Sequence, residues 1–445
     1  MDHRRTLSGV AAMLVAATGS HADSANITVY SNGFGLVSET RQMVFEKGVQ
    51  VVPFDGVSQY IEPSSVLFDG SGLALLEQNY VYDLVNGDAL LKRFLDKEIS
   101  VSLKEGGEQV SGRLLSYSGD IVLQTATGII SLSRGGLQAI RYPELPEGLR
   151  TRPALNWTID ARKAGPQDVT VTYTTGGMSW QAEYVCLLNQ DDTSMELAAW
   201  VNLSNTTGMS WQDAGLQLVA GDLNQARPEV MVNYSALKMA DAGERARGFE
   251  EESFFEYHLY TLPRPVTLEN NQDKEITLFP TTETKVTKEY VYSSRQGGGV
   301  KTLLRFVNKK GEGPGMPIPA GKVRMYKKDS AGRKQLIGED RVDHTPVDED
   351  IELTTGEAFD LVVERVVKDN RSFGRGYETD IEFTVRNHKK DGRVTIFLDE
   401  YAWGDWDIVK CSHKAVKKDA NRARIPVELD AGGEATVTLT MRGRR

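Results

Sequence analysis

The densest cluster of residues within reach of metal or acid–base chemistry runs from Gly338 to Asp350. Asp340, Asp343, His344 and Asp348 there offer carboxylate and imidazole donors, and hard oxygen ligands are what calcium takes. The spacing fits no EF-hand loop, and an acidic run between two strands is ordinarily a solvated turn. The second candidate is Trp403-Gly-Asp-Trp406. Two indoles this close can present a flat aromatic surface to a sugar or a peptide. In a β-protein they otherwise pack in a core or between domains.

Familiar catalytic signatures are missing. The chain has no G-x-S-x-G, H-E-x-x-H or C-x-x-C. Gly33-Phe-Gly35 lacks the third glycine and the following helix of a dinucleotide site. In Gly297-Gly-Gly-Val-Lys301-Thr302 a valine separates glycine from lysine, so it is not a phosphate loop. Of the histidines after residue 22, His258, His344, His388 and His413, none is spaced from another as a local metal pair. His258, in Tyr257-His-Leu-Tyr260, reads as a structural histidine in a sheet. The expectation is no catalytic residue, no cofactor and no metal, with Trp403, Trp406, Asp340, Asp343, His344 and Asp348 as candidate binding residues. Folding can still join two dispersed carboxylates, and glycoside hydrolysis needs little more. An envelope hydrolase or carbohydrate-modifying enzyme is thus the alternative to a binding module.

The elements that must position these residues are strands. Asn26–Tyr30 and Leu36–Phe45 alternate on either side of a Gly-containing turn, the pattern of a hairpin. One helix is expected, Ala89–Leu95, capped by Asp88 and burying Leu91, Phe94 and Leu95 on one face. Residues 97–142 hold five short strands, the count of a small SH3- or Sm-like barrel. No basic surplus or stacking motif goes with them, so RNA binding is not inferred. Pro143-Glu-Leu-Pro-Glu-Gly148 is a linker signal. Long strands follow it, then a charged, aperiodic stretch at about 222–256 that reads as a mobile acidic loop. From about Gly338 six further strands have immunoglobulin-like spacing.

The fold expected is mainly β: a multi-domain β-sandwich with an immunoglobulin-like C-terminal part, a small barrel near the N-terminus and few short helices. The expected divisions are a signal peptide at 1–22, an N-terminal β domain with one helix at 23–96, the barrel at 97–142 and a linker at 143–153. A central sandwich at 154–337 and a C-terminal sandwich at 338–445 complete them.

Arg4 and Arg5, the apolar run Leu7–Ala17, and Ser20 and Ala22 make a secretory signal peptide with cleavage after Ala22. A periplasmic or secreted location follows. No later segment is apolar over 18 residues, so the mature chain is expected not to span a membrane. A net charge of −10 gives no electrostatic reason to seek nucleic acid or anionic lipid. The partner expected is an envelope protein or polysaccharide. The two cysteines, Cys186 and Cys411, could pair in an oxidising compartment; two buried free thiols are the other reading.

A motif set spans the chain after residue 140. It includes Leu145-Pro-Glu-Gly-Leu149, Arg152-Pro-Ala-Leu-Asn-Trp157, Tyr173-Thr-Thr-Gly-Gly-Met-Ser-Trp180, Trp200-Val-Asn-Leu-Ser-Asn205 and Trp211-Gln-Asp-Ala214. Leu218-Val-Ala-Gly-Asp222, Leu262-Pro-Arg-Pro-Val-Thr267, Pro319-Ala-Gly-Lys-Val-Arg324 and Gly356-Glu-Ala-Phe-Asp360 continue it. The set resembles a family of exported bacterial proteins built on a β-rich domain of unknown function, grouped broadly with the mucoidy-inhibitor A proteins. The resemblance implies an envelope location and a β-sandwich core, and supplies no catalytic residues. The mucoidy-inhibitor branch is associated with restraining capsular polysaccharide and typically carries a coiled-coil insertion. Here no heptads occur, and the small barrel at 97–142 stands in that region.

Overall fold

The structure, a computed structural model, describes residues 24–104, 107–146, 148–221, 249–254, 257–374 and 376–444. The signal-peptide run lies outside them. Strands dominate the described residues, and one α-helix, Gly87–Arg93, is present among them. The architecture is the expected mainly β, multi-sheet, sandwich-like one.

Side-chain alternation explains the strands. In Met178–Leu188 the set Met178, Trp180, Ala182, Tyr184, Cys186 and Leu188 is buried and the intervening residues are not. The antiparallel neighbour Ser194–Asn205 repeats this with Met195, Leu197, Ala199, Val201 and Leu203. A period of two is what a strand with one buried face imposes.

The sheets cross the divisions drawn from the sequence. The hairpin Ser24–Tyr30 and Phe34–Phe45 forms as expected. Its first strand pairs in parallel with Trp211–Ala220, and its second pairs antiparallel with Gly165–Gly176. Gly48–Asp55 and Leu73–Val81 flank Ala154–Ala161. One core runs from Ile27 through Trp157 and Trp180 to Leu353. The apolar faces of 24–81 are therefore buried by strands beyond the linker, and a Pro/Gly stretch shows where the chain turns, not which strands pair. The division at 337/338 is crossed in the same way. Gly321–Lys328 and Lys334–Val342 belong to the central sheet. Thr287–Ser293 and Lys301–Val307 join the six-stranded C-terminal sheet.

The small unit has its own core, with Leu91 and Phe94 packed on Ile99, Val101, Leu114, Ile121 and Leu123. Its strands lie in the spatial order fifth, first, second, third, fourth, and the fourth and fifth do not pair. The sheet is SH3-like in order but is not a closed barrel. The helix cap is Asn86, whose Oδ1 accepts from the Ala89 amide at 2.8 Å. Asp88, the expected cap, lies in the first turn and ion-pairs with Arg134. Leu95 lies past the helix end and is exposed.

Residues 222–248 of the expected acidic loop lie outside the described residues, and its later part, Glu250–Phe254, pairs with Tyr257–Thr261. Both cysteines are free thiols. Cys186 sits in the large core, whereas Cys411 packs against the separate C-terminal core, so the fold keeps them apart.

Candidate functional site

The C-terminal sandwich positions the candidate tryptophans differently. Its first sheet contains Val394–Tyr401, where Ile396 and Leu398 point into the core. Its second sheet contains Leu361–Phe373, Gly376–Asn387, Asp405–Cys411 and Glu434–Arg444. Residues 402–404 carry the chain from one sheet to the other. Trp403, on this corner, is 68% exposed. Trp406 is 1% exposed, and its Nε1 donates to the Ala420 carbonyl. The Lys417 ammonium lies 4.5 Å from the centre of its ring. The shared flat surface expected of the pair is thus not formed. Trp406 lies in the second sheet and faces the core, whereas Trp403 lies on the corner before that sheet begins and meets solvent.

Trp403 overhangs a cleft of about 410 Å³ at the open end of the sandwich. Asn370 and Ser372 line it from one strand, and Tyr377 and Thr379 from the next. Two close backbone approaches set its shape. Gly443 lies under the Tyr377 ring, and a Cβ there would come within 2.3 Å of that ring. Gly404 has φ +75°, and a Cβ on it would sit 2.5 Å from the Arg444 carbonyl oxygen. Gly404 therefore needs glycine, whereas a side chain at 443 would have to displace the Tyr377 ring. The Tyr377 hydroxyl donates to the Trp403 carbonyl at 3.2 Å and ties the corner to the sheet.

The deep end of the cleft holds a locked ion pair. Arg365 Nε and Nη2 donate to the two carboxylate oxygens of Glu400, each at 2.8 Å. Glu400 is buried and Arg365 half-buried. The hydrogen bonds it donates to Glu400 raise the Arg365 guanidinium further above its ordinary value. Such a two-pronged pair is a rigid, oriented feature. Glu400 is the one carboxylate that lines this cleft among the described residues. What the arrangement offers is an aromatic ring beside amide and hydroxyl groups on fixed strands, the composition of a site for a small polar ligand with an apolar face. A second cleft, of about 560 Å³, brings Glu196 and Glu283 opposite each other on neighbouring strands, both exposed, beside Lys328.

The acidic candidates do not converge. Asp340 lies in the strand Lys334–Val342, and its carboxylate accepts from the Thr354 and Arg341 amides. Asp343 and His344 are exposed, and His344 Nδ1 accepts from the Ala320 amide at 3.1 Å. Asp348 is a turn residue with φ +66°, its amide bonded to the Asn308 carbonyl. No group of three or more His, Cys, Asp or Glu able to hold a metal occurs among the described residues. A strand pairing, invisible in the acidic run itself, separates donors that looked adjacent.

Arg365, Asn370, Tyr377, Glu400 and Arg444 were not singled out by the sequence. They come from four strands, and only their register places them together. The Gly-Asp within Trp403-Gly-Asp-Trp406 was the one local signal of the corner.

A family model described as a domain of unknown function, DUF4139, matches residues 169–442. It covers the central sheet and the whole Trp403 cleft except Arg444. No curated protein matches the chain. No helix among the described residues is long and apolar enough to cross a membrane. The matched segment spans more than half of the sequence, and the chain belongs to the DUF4139 family.

Proposed function

We propose that this chain is an exported, non-catalytic protein of the bacterial envelope that binds a glycan through the Trp403 cleft. The observation that carries the reading is a 68% exposed indole at the mouth of a polar-walled cleft. A sugar ring has apolar C–H faces and equatorial hydroxyls. The first suits the Trp403 ring, and the second suit Asn370, Ser372, Tyr377 and Thr379. Glycoside hydrolysis uses two carboxylates set apart across the scissile bond; here the lining carboxylate is clamped by Arg365. Export rests on the signal-peptide pattern of residues 1–22. The resemblance to exported proteins grouped with mucoidy-inhibitor A supports the envelope location and makes envelope polysaccharide the first ligand to try.

The test is affinity capture with residues 23–445 as bait in an envelope extract, identifying retained proteins and glycans, with Trp403→Ala in parallel. The expected result is a polysaccharide retained by the native bait and lost with the variant. A dominant protein partner retained equally by both baits would replace this reading with a protein-binding one. Fractionation of cells expressing the full chain tests export, with a mature product beginning at Asp23 expected outside the cytoplasm.

A further inference from the structure

Two arginines, Arg444 in the lining of the Trp403 cleft and Arg295 over the Trp403 ring, differ from their neighbours. The other described arginines from Arg365 to Arg442 each pair with a carboxylate, Arg424 with Asp399 and Arg442 with Glu378 among them. Arg444 lines the cleft, is exposed, and makes no ion pair with a described carboxylate. Asp405 lies opposite it on the neighbouring strand without pairing to it. Arg295 is likewise exposed and makes no ion pair with a described carboxylate; its guanidinium stands over the Trp403 ring, 5.8 Å from the ring centre. The loop that carries it is fixed to the same corner. The Tyr401 amide donates to Ser294 Oγ at 3.2 Å, and the Ser294 amide donates to the Asp399 carbonyl at 3.0 Å.

Within the cleft the charges of Arg365 and Glu400 cancel, so Arg295 and Arg444 leave two guanidiniums without an ion pair beside Trp403, with Asp405 the one acidic neighbour across the strand from Arg444. This stands against a chain whose net charge is −10. An unpaired guanidinium beside an aromatic ring has donors free for a carboxylate and a flat face for a ring.

We infer that the cleft selects an acidic saccharide, whose carboxylate is bound by Arg295 and Arg444 while its ring lies against Trp403. The inference rests on the glycan reading above and names its ligand class. Neutral sugars would satisfy the hydroxyl-bearing walls but leave both guanidiniums unmatched. An extended acidic peptide would satisfy the arginines but would lack the C–H face that an exposed indole favours.

The experiment is calorimetric titration of the purified chain with three probes: tetragalacturonate, its methyl ester, and an octaglutamate peptide. The expected order is acid above ester by about tenfold, with the peptide weakest. Arg295→Ala and Arg444→Ala should each lower affinity for the acid by about fivefold and leave the ester nearly unchanged. Raising salt from 50 to 500 mM should weaken the acid and not the ester. Both arginines are exposed, so the variants should melt with the native protein, and circular dichroism verifies this. Equal binding of acid and ester, lost in Trp403→Ala, would overturn the anion selection and keep the glycan reading. Tightest binding by octaglutamate would overturn the inference in favour of an acidic protein segment. Binding of no probe at millimolar concentration would overturn both.

Discussion

The Tyr377 hydroxyl reaches the backbone carbonyl of Trp403 at 3.2 Å, across Gly443, where a Cβ would meet the tyrosine ring. One hydrogen bond thus joins the corner that exposes Trp403 to the strand that lines the cleft. Tyr377→Phe should cost about 0.5–1 kcal/mol of stability and weaken a cleft ligand about threefold, because the corner loses its tether. Gly443→Ala should cost more, about 1–3 kcal/mol, since the ring must move. Denaturant melts of the two variants check the order; a milder Gly443→Ala would contradict it.

The two tryptophans should separate cleanly. Trp406 is buried, and Trp406→Ala should destabilise by about 3–5 kcal/mol. Trp403 is exposed, and Trp403→Ala should change stability by no more than about 0.5 kcal/mol. Paired thermal melts measure both.

The Arg365–Glu400 pair is a structural clamp on the deep end of the cleft. Arg365→Met leaves the buried Glu400 carboxylate without its partner and should cost about 3 kcal/mol. The double variant Arg365→Met, Glu400→Leu should recover much of that loss. Chemical denaturation of the three proteins gives the cycle, and a double variant as weak as the single would count against the clamp.

Cys186 should be the silent thiol. Burial pushes it from 9.0 to about 12, and partial burial also raises Cys411. Between pH 9 and about 12 the unfolded chain loses the Cys186 proton and the folded chain keeps it. Stability therefore falls as pH rises through that window. At pH 8 a thiol reagent should reach Cys411 in the native protein and Cys186 only after unfolding. Two thiols should titrate in denaturant without reductant; none would mean that the pair is oxidised.

Calcium should leave the protein unmoved. Asp340 is occupied by backbone amides, and Asp343 and Asp348 face solvent separately. Millimolar calcium should shift the melting temperature by less than about 1 °C, because a ligand stabilises only a state that it binds. A larger, saturable shift would restore the acidic run as a site.

How far the sequence carried the fold depended on the range of the signal. Period-two alternation located Asn26–Tyr30, within the observed Ser24–Tyr30, because burial of one face is a local property. It missed Leu73–Val81 and Val416–Asp419, in which no position is fully buried. Sheet membership was not legible. Nothing near Asn26 announces that its strand pairs in parallel with Gly215, nor does a linker at 143–153 forbid it. The site divides in the same way. Trp403 was visible as a residue type, but Arg295, Arg365 and Arg444 are spread over the chain, and only the corner between two sheets brings them to one cleft. Asp340 shows the converse, since a carboxylate that is close in sequence to its neighbours spends its oxygens on backbone amides.

The most direct test of the central claim follows tryptophan fluorescence while the purified chain is titrated with polysaccharide from its own envelope. The account predicts a saturable change in the native protein and none in Trp403→Ala, with unaltered melting of that variant. Equal affinity in the two proteins would contradict it and move the search for a ligand away from this cleft.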